Sequence, residues 1–233
     1  MRRKSKAKKV EILYEDNHLL AVTKPAGVLV HGDETGDESL IDVMKDYIKH
    51  EYNKPGEVYL GLVHRLDRPV SGVVLFAKTS KALARMNKIF QDRKVTKVYR
   101  AVINRVPDPL DGNLVHWLKK DGKRNVSRHY DREVKESKKC ELSYKYKGGL
   151  NGYHLLEVYP VTGRPHQVRV QLAANNTPIV GDLKYGYPRA TQDASICLHC
   201  MSLSFEHPVK KEPITIRNKM PKTEYWKFFD QIK

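Results

Sequence analysis

The chain has 233 residues, 40% hydrophobic and 30% charged, the balance of a protein with a buried core and not of a disordered one. Forty-three Lys and Arg against twenty-seven Asp and Glu give a formal net charge of +16 and a pI near 9.6, a field that attracts polyanions, nucleic acid first among them, but fixes no fold. Three cysteines are too few for a disulfide framework and fit a reducing compartment. The longest apolar run, 73–77, is far too short for a bilayer, and no secretory leader is read, so a soluble cytoplasmic protein is expected.

In chain order, residues 1–9 hold six basic groups and read as a disordered arm. Residues 10–16 and 19–24 alternate as two strands about a turn at Asn17, and Pro25-Ala26-Gly27 marks a tight connection. Ser39 with Asp42 three residues on reads as a capping box, followed by Leu40, Met44, Tyr47 and Ile48 at helical spacing. Residues 59–67 read as a strand running into a loop, 72–78 as a buried strand, and 80–93 as a helix with Leu83, Met86 and Phe90 on one face. A strand over 94–104 follows. Residues 107–139 are polar, basic and weakly periodic, which predicts exposed turns or a mobile insertion. Residues 153–161 form another strand, Pro165 suits the first turn of a helix reaching Asn175, and strands at 196–205 and 214–217 precede a closing helix over 223–232. Strands outnumber helices and turns join most of them. The pattern predicts an α+β fold with a mainly antiparallel mixed sheet flanked by helices and loops, in one domain over residues 10–233.

Four segments carry the chemistry. The segment 61–79 places His64, Arg65, Asp67 and Arg68 in a loop between two buried strands, a rigid place from which to present a side chain. Asp67 is the only carboxylate between Glu57 and Asp92; alone, it also suits a surface ion pair. In the segment 161–172, Arg164 and Arg169 fall near the start of a helix, where anions are stabilised. Tyr99 sits on a strand between Lys97 and Arg100, and the segment 196–208 alternates like sheet core. Cys197, His199, Cys200 and His207 invite a zinc reading, which fails because alternation sends Cys197 and Cys200 to opposite faces; no metal is expected.

In this order the motifs resemble the RluA family of RNA pseudouridine synthases. The hallmark loop is His64-Arg65-Leu66-Asp67-Arg68-Pro69-Val70-Ser71-Gly72; the tyrosine segment is Lys97-Val98-Tyr99-Arg100-Ala101; the third is Thr162-Gly163-Arg164-Pro165-His166-Gln167-Val168-Arg169-Val170. The early Lys24-Pro25-Ala26-Gly27 and the segments 177–186 and 198–208 match the family's run as well. Val70 stands where the family has Thr, Gln171 where it has His, and Asn175-Asn176-Thr177 where it has a Gly-containing turn.

The resemblance implies a pseudouridine-synthase-like catalytic domain in a short form without the small N-terminal RNA-binding domain of many relatives. It implies isomerisation of uridine to pseudouridine in a ribosomal or transfer RNA stem-loop by a monomer, without cofactor or membrane. Asp67 is then the nucleophile, Arg164 its cationic partner and Tyr99 the residue that stacks on the target base. Arg65 enters the space left by the flipped uridine. His64, Arg68, Lys97, His166 and Arg169 join it as candidate RNA contacts. The competing reading is an RNA-binding module or chaperone that has lost catalysis; it predicts damage at Asp67, Tyr99 or Arg164, and all three are present.

Overall fold

A computed structural model describes residues 10–232; the arm expected over residues 1–9 lies outside them. In chain order the elements are β1 (Ile12–Glu15), β2 (Leu19–Lys24), α1 (Leu40–Glu51), β3 (Gly61–Leu62), β4 (Ser71–Ala77), α2 (Ser80–Gln91), β5 (Thr96–Ile103) and β6 (Gly112–Asp121). There follow β7 (Val126–Tyr130), β8 (Lys138–Leu150), β9 (Tyr153–Pro160), α3 (Gln167–Ala174), a 3-10 turn at Leu183–Tyr185, β10 (Leu198–Glu206), β11 (Pro213–Arg217) and a last 3-10 turn at Trp226–Phe229. The fold is α+β and mainly antiparallel. Within it the chain forms two compact units: one of residues up to 95 with 202–218, the other of 96–201 with 219–232.

In the first unit β1, β2 and β4 lie side by side, with β2 paired to β4 in a register that sets Lys24 opposite Gly72. All seven residues of β4 are buried, as its unbroken apolar run predicts for a strand covered on both faces. Helix α1 buries Leu40, Met44 and Ile48 of the expected stripe and Ile41 beside them, while Tyr47 is half-buried, its hydroxyl donating to Glu15 at 3.1 Å. Its cap departs from the expected box. The Leu40 and Ile41 amides donate to the carbonyls of Leu29 (2.8 Å) and Val30 (3.1 Å), so the Ser39 hydroxyl donates to Asp42 Oδ2 at 2.6 Å instead of capping the backbone. Helix α2 is capped as the rule prescribes, Thr79 Oγ1 accepting from the Ala82 amide.

The second unit orders its strands β5-β9-β8-β6-β7, all antiparallel. The polar stretch 107–139, expected to be loose, instead builds the β6–β7 hairpin and the start of β8. Its periodicity is faint because one face is solvated, while Leu118 and Cys140 on the other meet Val170 of α3 and Tyr185. Helix α3 starts two residues after Pro165, because His166 takes a left-handed backbone (φ 56°) at the N-cap. The expected closing helix shrinks to one 3-10 turn. Its buried Trp226 and Phe229 have the i, i+3 spacing that such a turn stacks on one side, and Arg100 holds the Ile232 carbonyl at 3.0 Å.

One polar knot ties the first unit. Asp16 accepts from the His18 and Leu19 amides, both at 2.8 Å, and from the Tyr14 hydroxyl at 2.9 Å, and its Oδ2 lies 3.0 Å from His207 Nε2. His207 Nδ1 accepts from the Val209 and Lys210 amides, so the buried ring is the neutral tautomer with its proton on Nε2. Burial would raise the Asp16 carboxyl, but these donors and Lys210 hold it far below the usual range; burial pushes His207 down against the pull of Asp16.

Both shifts predict acid sensitivity. Asp16 contributes stability above about pH 4 that is lost as pH falls through its folded value, and the neutral His207 costs stability once the unfolded chain takes up a proton below about pH 6.5. Urea titration should show stability falling from about pH 7 to 5 and again in stronger acid. Asp16→Asn should cost about 1–3 kcal/mol at neutral pH and flatten the lower limb; a variant as stable as the parent would show the knot to be idle.

Candidate active site

Asp67 is half-buried in the loop between β3 and β4, where its carbonyl accepts from the Val70 amide at 3.0 Å and closes a turn. Lys24, at the end of β2, has no exposed surface. Its ammonium donates to three carbonyls: Pro25 at 3.0 Å, Arg68 at 3.1 Å and Val70 at 2.6 Å. The last two belong to the Asp67 loop. Gly27, in the left-handed region that glycine tolerates (φ 83°), gives its amide to the Arg68 carbonyl at 2.7 Å, so the Lys24–Gly27 turn and the Asp67 loop are stitched together. Burial pulls Lys24 down to about 7, and the neighbouring Asp67 charge opposes the shift. Three acceptors match the three N–H bonds of the ammonium; a neutral amine could serve only two.

The other candidates of this loop divide by environment. His64 Nε2 accepts from the Leu75 amide at 3.2 Å and its ring stacks on Phe90 at 5.5 Å, so it docks the loop onto β4 and α2. Arg68 bonds Asp37 at 2.5 Å and the Gly27 carbonyl at 3.2 Å, a surface pair that braces the turn. Arg65 is exposed. Val70 serves through its carbonyl, so the missing threonine hydroxyl does not disturb the Lys24 contact.

In the second unit Tyr99 on β5 shares a sheet face with Val158 and Tyr144, as direct cross-strand partners do. Lys97, two residues earlier on that face, donates to the Thr162 carbonyl at 3.0 Å. Buried Gln167 organises the turn that follows: its Oε1 accepts from the Thr162 hydroxyl at 2.7 Å and the Arg164 amide at 3.0 Å, and its Nε2 donates to the Glu141 carbonyl at 3.0 Å. Arg164 is half-buried, with Nε 3.4 Å from the Lys139 carbonyl. His166 Nδ1 lies 2.7 Å from the Tyr185 hydroxyl. Arg169, expected at RNA, is buried in a two-pronged pair with Asp182 (2.7 and 2.8 Å) and lies over the Tyr185 ring. Its guanidinium holds the fold and does not face solvent, so we withdraw it from the RNA contacts.

The departures from the family pattern have local reasons. Gln171 donates to the Leu114 carbonyl and to His116 Nδ1, tying α3 to β6. Asn176 takes the left-handed backbone (φ 57°) after α3, the position glycine commonly fills. Lys24 and Gln167 stand within the family motifs, yet sequence reasoning gives neither a role; a lysine closing an apolar strand before a Pro-Gly turn is the one signal that could have found the first. Among the described residues no group of three or more His, Cys, Asp or Glu is placed to hold a metal ion, and no helix is long and apolar enough to cross a membrane.

A strongly basic α+β chain that presents a carboxylate from a braced loop has the make-up of an enzyme acting on nucleic acid. Comparison with known proteins specifies which. The family model for RNA pseudouridylate synthase matches residues 18–174. A tRNA pseudouridine synthase C from Haemophilus influenzae is 34% identical over 232 residues, covering 89% of this chain and 91% of the relative. A ribosomal large subunit pseudouridine synthase C from Buchnera aphidicola is 33% identical over 213 residues, covering 88% of this chain and 65% of the relative, so the chain spans about two thirds of that protein. The solved structure of human RNA pseudouridylate synthase domain containing 4 superposes with a TM-score of 0.75 at 25% identity, over 91% of this chain and 88% of that one. The chain belongs to the RNA pseudouridine synthase family, enzymes that isomerise uridine to pseudouridine within RNA.

Lys24→Met keeps the aliphatic stem and removes the donors of three carbonyls. We expect a loss of about 2–4 kcal/mol in urea unfolding. Where the variant remains folded, turnover should fall at least about tenfold through misplacement of the Asp67 loop. Full turnover in a folded variant would reduce Lys24 to a stability role.

Proposed function

We propose that this chain converts uridine to pseudouridine at a defined position of a structured RNA, with Asp67 as the catalytic nucleophile. The observation that carries the reading is the bracing of Asp67: a half-buried carboxylate whose loop is gripped at two carbonyls by the ammonium of Lys24. A carboxylate suits breakage of the N1–C1′ bond, because it can add to an electron-poor carbon or steady positive charge developing at C1′. The detached uracil turns and rejoins through C5; the C5 proton is lost and N1, released from C1′, takes up a proton in its place. Atoms and electrons are conserved overall, so the reaction asks for no oxidant and no energy source.

Tyr99 and Arg164 complete the proposed catalytic set in the roles their motifs assign, Tyr99 against the base and Arg164 as a cation favouring ionised carboxylate. Arg65, exposed in the loop that carries Asp67, suits insertion into the stack that the flipped uridine leaves. Lys97, His64, His166 and Arg68 hold the loops that present these groups. Relatives named as tRNA pseudouridine synthases are matched over 90%, 91% and, in one case, 61% of their length, and the two Buchnera relatives named for the ribosomal large subunit over 65% and 63%. A transfer or ribosomal RNA stem-loop is the proposed substrate. The cytoplasm is the proposed compartment, consistent with three buried free cysteines.

The test supplies purified protein with bulk RNA from a strain lacking the gene and maps new pseudouridines by a chemical block to reverse transcription. Site-specific signal should appear with the parent and vanish with Asp67→Ala, while RNA binding survives in both. Parent protein that binds RNA and modifies none would sink the enzymatic reading in favour of an RNA chaperone.

A further inference from the structure

The turn joining β6 to β7 gathers positive charge. Lys120, Lys123 and Arg124 come from the hairpin, and Lys184 reaches it from the 3-10 turn at Leu183–Tyr185, its ammonium donating to the Asn125 carbonyl at 2.9 Å; all four are exposed. Among the described residues none of the four is ion-paired with an acidic side chain. Lys119 and Arg128, further along the strands, are partnered by Glu136 at 2.8 Å and Asp121 at 3.9 Å.

Charge at a solvated turn says little unless the turn is held in place, and this one is. Ser127, opposite Lys120 in the register, is buried; its hydroxyl donates to the Pro165 carbonyl at 2.8 Å and its amide to the Tyr185 hydroxyl at 2.8 Å. That hydroxyl also lies 2.7 Å from His166 Nδ1. Leu118 on the inner face joins Cys140, Val170 and Tyr185 in one apolar cluster. The hairpin beside its turn is therefore bonded to the 162–167 turn that carries Arg164, and the cationic tip is held next to that segment.

We propose that the β6–β7 tip is a phosphate-gripping arm that binds the RNA backbone. This rests on the activity proposed above and deepens it by naming a second region of contact. Exposed ammonium and guanidinium groups at a turn bond phosphate oxygens without reading bases, so the arm sets register and affinity and leaves sequence choice to the catalytic loop.

The experiment compares two variants of equal net charge: K120Q/K123Q/R124Q/K184Q at the tip, and K145Q/K147Q/K222Q/K227Q elsewhere in the same unit. Affinity for a fluorescein-labelled, unmodified transfer RNA transcript is measured across salt concentration, and turnover is followed on the same RNA. Every phosphate that the protein ceases to neutralise lowers the log–log salt slope by about 0.7–0.9, so the tip variant, with four cations removed, should lose about 3 in slope and at least about tenfold in affinity at moderate salt. Its KM should rise with kcat retained, and the second variant should change far less. Equal losses in both variants, or an unchanged slope at the tip, overturn the arm. If the tip variant loses slope while the parent converts no uridine, the arm stands and the activity reading falls; conversion with an unchanged slope removes the arm alone.

Discussion

The ammonium of Lys24 is the contact on which the first unit's functional loop depends. A lysine with no exposed surface loses its hydration, a cost that only good acceptors offset, and here three backbone carbonyls supply them. The β2–β4 register places the residue opposite Gly72, so the ammonium arrives where the chain leaves the loop and enters β4. Residues 67–70 are thereby fixed by a charge reaching in from a strand and by the Gly27 amide from the adjoining turn. Such a loop keeps its side chain in place without substrate, which is what the role proposed for Asp67 requires.

The second unit solves the same problem with a neutral group. The carboxamide of Gln167 accepts twice and donates once, closing the turn from Thr162 to Gln167 around the segment that bears Arg164. Tyr185 does likewise, between Ser127 of the hairpin and His166. In both units a buried polar side chain with all its partners in reach defines one backbone path, where an apolar residue would tolerate several.

The net charge of +16 is divided between two uses. Lys24, Arg169 and Arg100 place their charge inside the protein, on carbonyls, on Asp182, and on the Ile232 carbonyl and Met220 sulfur. Arg65 and the hairpin cations remain at the surface. Composition cannot separate these groups, because an arginine reads the same whether its partner is a phosphate or an aspartate thirteen residues away; Arg169 was misjudged for that reason.

Much of the fold was legible locally. The apolar run of β4, the helical spacing of α1 and α2 and the turn after β2 are short-range properties of the chain, and the motif order was enough to point to the family. What the chain does at distance was not legible. The 107–139 stretch became strands because α3 covers one face of it; the closing helix became a single turn because Trp226, Phe229 and the Ile232 carbonyl are each claimed by packing or by Arg100. Likewise Ser39 lost its capping role to two carbonyls about ten residues upstream. By itself the sequence determined which residue types stand ready for chemistry and the periods of the elements that carry them. Tertiary structure decided which cations are consumed in holding the fold and which polar stretch becomes a sheet, because burial and hydrogen-bond partners come from residues distant in the chain.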